Sequence, residues 1–199
     1  MKLYYAKGTC SFAPHVGLRE AGMDFELASV DLREKKLADG SDYLAVNPRG
    51  YVPLLERDDG STLSECAVIL QWIGDRVPEA GLIPAAGTDE RYRVQEWLSF
   101  VGGELHKGLP PIFLPHIPDA MRPIARARVE LRLKFLDGAL AGKTWLTGEA
   151  FTVADVYCGA ILNWTKPAQY DLGQHPNVAD FYERFCARDS VAAAHAAEG

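Results

Sequence analysis

Cys10 is the residue best placed for chemistry. It follows a short apolar strand pattern, Leu3-Tyr4-Tyr5, and precedes Pro14 and a helical run ending near Gly22. A helix start carries the positive end of the helix dipole, so a sulfur there is stabilised as the thiolate and its pKa falls. The segment Thr9-Cys10-Ser11-Phe12-Ala13 has no second cysteine three residues on, which excludes a Cys-x-x-Cys dithiol pair and means that any partner comes from elsewhere. Taken alone, a cysteine near a strand end is more often a small buried hydrophobe.

Two further stretches give Cys10 context. In Asn47-Pro48-Arg49-Gly50-Tyr51-Val52-Pro53, a proline opening a strand removes one backbone donor, and a cis peptide bond there turns the backbone of Val52 sharply outward. An ordinary Pro-rich turn is the plainer account of the same residues. In Ser64-Glu65-Cys66 a helix begins, and its free N–H groups form an anion site with Glu65 placed to accept from an ammonium. An amino-acid head group carries both charges and suits that arrangement, although a simple capped helix is more common.

The elements that position these residues divide the chain in two. Leu3–Tyr5, a helix over roughly 13–22 and a strand over 25–30 make a βαβ unit. Val52–Glu56 and Ser61–Leu63 flank Asp58-Asp59-Gly60, a hairpin signal because Gly tolerates positive φ. A helix follows Ser64. The order βαβ then ββα is that of a thioredoxin-like domain, expected over residues 1–78. Pro78, Gly81 and Pro84-Ala85-Ala86-Gly87 mark a linker over 79–87.

Beyond it, residues 88–199 show helical periodicity only, and an all-α bundle is expected. Val94, Trp97, Leu98, Val101 and Leu105 share a helix face, as do Val129, Leu133, Leu136 and Leu140, and Val178, Phe181, Tyr182 and Phe185. Phe151-Thr152-Val153-Ala154-Asp155-Val156 reads as a capping box with a hydrophobic staple, opening a helix whose next residues are apolar on nearly every face and therefore central. Val191–Ala197 is an alanine-rich last helix.

Composition narrows the function classes. With 199 residues, 48% hydrophobic and 24% charged, the chain has the makeup of a soluble globular protein. A formal charge of −6 argues against a nucleic-acid binder. The four cysteines lack metal-ligand spacing, so reduced thiols, a cytoplasmic location and no metal are expected. No apolar run is long enough to serve as a membrane span.

Taken in order, the Cys10-Ser11 start, Asn47-Pro48-x-Gly50-x-Val52-Pro53, Ser64-Glu65-Cys66, Glu104-x-His106-Lys107 and the Phe151–Asp155 cap resemble a glutathione transferase over almost the whole chain. Cysteine at the first site, Lys35-Lys36 after the second strand and His106-Lys107 point to the bacterial beta class. The resemblance implies a two-fold homodimer in which glutathione is a co-substrate and no cofactor is permanently bound. It implies that Val52 pairs its backbone with the cysteinyl part of glutathione beside a cis Pro53, with Ser11 and Tyr51 in the same contact set. Glu65 and Cys66 would hold the γ-glutamyl end, Lys35 the glycyl end, and Glu104 would reach the neighbouring subunit's γ-glutamyl ammonium. Cys10 and His106 would be catalytic, with Lys107 close by, and Phe113 and Trp164 would line a pocket for a hydrophobic electrophile.

Two departures stand out. Cys66 occupies a position where Ser, Ala or Gly is more usual, so a hydroxyl bond to the ligand carboxylate is lost while the backbone N–H stays. Gly102-Gly103 costs about 1 kcal/mol per glycine relative to alanine in a helix interior, consistent with a close helix approach at a dimer interface or with local looseness. Three activities follow as alternatives: conjugation of glutathione to an apolar electrophile, glutaredoxin-like exchange through a Cys10 mixed disulfide, and ligand binding without turnover.

Overall fold

The computed structural model describes residues 1–199. Its first half is a five-stranded sheet of order β3-β2-β1-β4-β5, built from β1 (Lys2–Tyr5), β2 (Glu26–Asp31), β3 (Lys36–Leu37), β4 (Leu54–Glu56) and β5 (Thr62–Ser64). β1 pairs parallel with β2 and antiparallel with β4, so Leu3 faces Leu27 on one side and Leu55 on the other. Successive strand residues point to opposite faces. Leu3 and Leu55 accordingly enter the main core with helices α1 (Phe12–Glu20) and α3 (Cys66–Arg76). Tyr4 and Leu54 form a small second core with Val30, Tyr43 and Val52.

That second core anchors the loop before β4. The short helix α2 (Tyr43–Val46) supplies the Tyr43 hydroxyl, which donates to the Tyr51 carbonyl at 3.0 Å. Asn47 Nδ2 donates to the same oxygen at 2.8 Å. The Val52-Pro53 bond is cis, as expected. The hairpin forms around Gly60, whose φ is 78°, but β4 begins at Leu54 where Val52 was expected, because the cis turn occupies Val52 and Pro53. The two-residue strand β3 was not anticipated, being too short to carry a period.

The second half is helical: α4 (Asp89–Phe100), α5 (His106–Gly108), α6 (Pro110–Phe113), α7 (Arg122–Leu140), α8 (Val153–Leu162), α9 (Pro176–Cys186) and α10 (Asp189–Glu198). Every residue of α8 is buried, and it packs on α1, α3, α4 and α9, the central role its all-round apolarity predicts. Gly159 permits the close approach of α9, since a Cβ there would lie 2.3 Å from the Phe185 ring. No helix is long and apolar enough to cross a membrane.

The Gly102-Gly103 pair has a specific structural consequence. Val101–Leu105 forms a π-helical turn joining α4 to α5. A Cβ at Gly102 would meet the Tyr157 hydroxyl only at 3.5 Å, and nothing lies within 4 Å of one at Gly103. Crowding within the chain therefore does not require either glycine; their weak α-helical preference lets the helix widen just ahead of His106.

Thr152 and Asp155 close the expected capping box. Asp155 Oδ2 accepts from the Thr152 N–H and hydroxyl, both at 2.8 Å, and Oδ1 accepts from the Leu146 N–H at 2.8 Å. Burial nevertheless pushes the Asp155 carboxyl up to about 6 against these donors. Thr152→Ala is expected to cost about 0.5–2 kcal/mol in urea unfolding. Asp155→Ala is expected to cost at least as much, because it leaves two buried N–H groups without acceptors. In Thr152→Ala the alkylation rate of Cys10 per folded molecule should not change; a changed rate would make the cap part of the site.

Candidate active site

Cys10 sits in the turn between β1 and α1, with Ser11 capping the helix. Its Sγ lies 3.6 Å from the Val52 carbonyl, which accepts from the thiol when it is protonated. Cys66, the first residue of α3, has its Sγ 3.4 Å from the Cys10 carbonyl, to which its S–H donates while Cys10 is a thiol, and turns that proton to the Cys10 sulfur when it is a thiolate. His106 reaches the same sulfur from the helical half. Together these groups bring the Cys10 thiol down from 9.0 to about 5: the Cys66 hydrogen bond contributes most, and the hydrogen bond and charge of His106 add to it against the opposing effect of burial. Cys66 shifts the opposite way, well above an ordinary thiol, because it is the donor to the Cys10 thiolate and is itself buried.

The contacts close into a ring. Cys66 hydrogen-bonds the Tyr157 hydroxyl, and that hydroxyl lies 2.6 Å from His106 Nδ1. With Nδ1 engaged by Tyr157, Nε2 is the imidazole nitrogen left for Cys10. Burial, followed by the charges of the two sulfurs, holds the Tyr157 hydroxyl far above its ordinary pKa, so it remains protonated and can pass a proton around the ring. Tyr157 was missed in the sequence. The available signal was a tyrosine inside an otherwise apolar helix, since a buried tyrosine hydroxyl needs a polar partner.

A second polar group lines the rim. The Tyr51 hydroxyl donates to Glu65 Oε1 at 3.1 Å, and Arg49 Nη1 donates to the Tyr51 and Ser64 hydroxyls, each at 3.1 Å. Arg49 also lies 3.7 Å from the Glu65 carboxylate; it is a further residue not singled out from the sequence. Glu65 has φ 72°, a left-handed conformation that costs a non-glycine residue about 1–3 kcal/mol and that clusters at ligand sites. Across this bend Glu65 stays exposed while Cys66 is buried, so neighbouring residues serve the rim and the interior. Lys35 also has positive φ, 56°, and its Nζ donates to the Gly50 carbonyl at 2.6 Å.

Other candidates lie apart from the sulfur. Ser11 is fully buried; its hydroxyl accepts from the Ala6 N–H at 3.1 Å and lies 2.8 Å from the Thr9 hydroxyl, so it shapes the turn carrying Cys10. Glu104 accepts from Arg132 at 2.6 Å and Arg128 at 3.2 Å, which hold its carboxyl below the usual range. Lys107 is exposed, and the lowering of Cys10 comes from Cys66 and His106 without it.

The apolar candidates meet the thiol through His106. Trp164 stands edge-on to His106 with ring centroids 5.0 Å apart, and Phe113 packs edge-on to Trp164 at 6.2 Å. Trp164 Nε1 donates to the Gly8 carbonyl at 2.9 Å, tying the helical half to the Cys10 turn. Beside it lies a cleft of about 260 Å³ lined by Thr9, Phe12, Trp164 and Lys166 among others. Cys10, His106 and Phe113 do not line this cleft; the sulfur is linked to the Trp164–Phe113 pair by His106.

Comparison with known proteins agrees with this geometry. Residues 9–76 match the glutathione S-transferase N-terminal domain and residues 100–189 the C-terminal domain. The chain is 42% identical over its whole length, and 99% of the relative's, to glutathione S-transferase GstA of Escherichia coli O157:H7. It is also similar to a sphingomonad glutathione S-transferase solved in complex with glutathione, with TM-score 0.96, 43% identity, and coverage of 100% of this chain and 99% of that one. The bacterial beta-class glutathione S-transferase of Sphingomonas chungbukensis is similar to the same degree, with TM-score 0.96, 43% identity, and 100% and 99% coverage.

Proposed function

As this chain belongs to the glutathione S-transferase family, in its bacterial beta class, we propose that it binds glutathione along the Val52–Glu65 rim and conjugates it to hydrophobic electrophiles held against Phe113 and Trp164. The observation that carries this reading is the lowered Cys10 thiol, which is partnered by Cys66 next to Glu65 from the first half and by His106 packed on Trp164 from the second. Val52 offers its backbone to the cysteinyl part of glutathione beside Pro53, which aligns the two sulfurs. The Glu65 carboxylate accepts from the γ-glutamyl ammonium, and the Cys66 backbone N–H donates to the neighbouring carboxylate. Lys35 serves the glycyl carboxylate.

The task of the site is to keep the glutathione sulfur ionised and near its target. Cys10 can accept a hydrogen bond from the incoming S–H and orient it, while His106 Nε2 donates to whichever sulfur carries the charge. Thiol–disulfide exchange is a second reaction at the same site, favoured by the pKa of about 5 for Cys10, because the thiolate is the attacking form.

The working unit we propose is a cytoplasmic two-fold homodimer. Val68 on α3, Tyr92 on α4 and Phe135 on α7 are large apolar side chains left exposed, and a partner covering them would bring Glu104 toward its neighbour's ligand. For that role Glu104 must share or release Arg132.

The test is turnover of glutathione with a nitro-activated aryl halide, followed by thioether absorbance, alongside calorimetry with glutathione alone. Binding together with turnover is the expected result. Glutathione binding without turnover on aryl halides, activated olefins or a glutathione mixed disulfide would make the chain a ligand-binding protein on this fold.

A further inference from the structure

In the conjugation site the Cys66 side chain serves only as a hydrogen-bond donor to the Cys10 thiolate, a task a hydroxyl performs as well and one that leaves the redox chemistry of its sulfur unused. Glutathione needs only the Cys66 backbone N–H, yet the side chain is buried directly against Cys10, with Sγ 3.4 Å from the Cys10 carbonyl and in hydrogen-bond contact with the Cys10 sulfur. Cys158 and Cys186 have no such partner: Cys158 lies inside the fully buried α8, and Cys186 at the end of α9. Cys66 is therefore the one other cysteine whose sulfur packs on Cys10, the nucleophile.

We propose that Cys66 is a resolving thiol: once Cys10 carries a glutathionyl group, Cys66 attacks it, closes a Cys10–Cys66 disulfide and releases glutathione, giving the protein a dithiol disulfide-reductase activity. This inference rests on the reading that glutathione species reach Cys10.

The chemistry balances with glutathione disulfide as the oxidant. The Cys10 thiolate attacks one of its sulfurs, forming the Cys10–glutathione bond and breaking the glutathione–glutathione bond, and the departing thiolate takes a proton from solvent. Cys66 then gives its proton through the Tyr157 hydroxyl to His106, and its sulfur attacks that of Cys10. The Cys10–glutathione bond breaks, and the second glutathione thiolate leaves with the proton collected by His106. Two electrons pass from the protein dithiol to glutathione disulfide, and two glutathione molecules result. Two further glutathione molecules then reduce the protein disulfide and form one glutathione disulfide, so net reductase turnover takes a different disulfide, such as the mixed disulfide of glutathione with another thiol, in the first step.

The geometry suits each step. Disulfide exchange requires the attacking sulfur, the central sulfur and the leaving group to lie in line. Cys66 is buried while Cys10 is partly exposed, so a disulfide entering from solvent meets Cys10 first and Cys66 attacks from the interior. Thiol attack also requires loss of the proton, which Cys66 holds tightly, and the 2.6 Å contact between Tyr157 and His106 supplies the exit.

The test uses the full-length protein, reduced and then mixed with glutathione disulfide, with intact mass followed in time after acid quenching. The wild type should pass through a transient single glutathionyl adduct to a species lighter than the reduced protein by two hydrogens, with peptide mapping joining Cys10 to Cys66. Cys66→Ser, checked for native circular dichroism, should stop at the adduct. A wild-type adduct on Cys10 that persists while an aryl halide is still conjugated would overturn the resolving role and leave the proposed function standing. Absence of both the adduct and conjugation would overturn the two together. A two-hydrogen loss mapped to any other pair would also exclude Cys66 as the resolving thiol.

Discussion

Cys10 should be alkylated with a midpoint near pH 5, where the folded protein places its thiol, and its advantage over an ordinary thiol should be greatest in mild acid. At pH 7 a thiol of ordinary value is about 1% ionised, so full ionisation gains roughly a hundredfold. Intrinsic nucleophilicity falls with basicity, however, and over four pKa units the loss is roughly sixtyfold. The two nearly cancel at neutrality, whereas at pH 6 the net advantage is about tenfold. Cys66→Ala should move the midpoint up further than His106→Ala, since the Cys66 hydrogen bond is the larger contribution. Equal midpoints for Cys10 and a small-molecule thiol would remove the thiolate from the mechanism.

The same shift enters stability. Between the folded value of about 5 and the ordinary value of 9.0, the unfolded chain carries a proton on Cys10 that the folded one lacks. Stability from this group is therefore fully present above pH 9, and it is lost as pH falls through 5. Cys10→Ala should lack that slope in urea titrations. It should also abolish the mixed disulfide and glutathione-dependent disulfide reduction, while conjugation falls but persists because bound glutathione brings its own sulfur.

Glu65→Ala should weaken glutathione binding by about 1.5–3 kcal/mol, the worth of a hydrogen bond to a charged group, or roughly ten- to a hundredfold in Kd by calorimetry. Little of this should appear as lost stability, because in the free protein the Glu65 carboxylate is exposed and meets only the Tyr51 hydroxyl and a 3.7 Å contact with Arg49. Relief of the positive-φ strain at Glu65 is not expected, since alanine tolerates that conformation no better. Unchanged affinity would take Glu65 out of the ligand site.

The parts legible in the sequence were those encoded within a few residues. The Asp58-Asp59-Gly60 turn, the Thr152–Asp155 cap, the cis turn at Val52-Pro53 and the wholly apolar α8 each carry their own local signal, and all of them appear in the structure. Long-range relations were not legible. Cys10 and Cys66 are 56 positions apart, and only the packing of α1 beside α3 makes them neighbours; the sequence suggested His106 or Lys107 beside the thiol, and only His106 acts on it together with Cys66. The Arg132 partner of Glu104, 28 positions on, was likewise invisible, because it comes close only once α7 folds back. The π-helical turn was signalled by paired glycines, but their effect on His106 depends on the helices around them.

The hydrogen-bonded ring also bears on how this architecture can be taken apart. Cys10 and Cys66 come from the sheet-bearing half, and Tyr157 and His106 from the helical half. A fragment comprising residues 1–78 would carry the rim, the nucleophile and Cys66 but would lose His106, one of the two side chains that lower its pKa, and the Tyr157 hydroxyl that holds His106. Transplanting that segment onto another helical partner would therefore move recognition with only part of the reactivity. Evolution of new acceptor chemistry in the second half is constrained for the same reason: the wall beyond Trp164 is free to vary, while the two positions on the helices that hold the sulfur's proton balance are not.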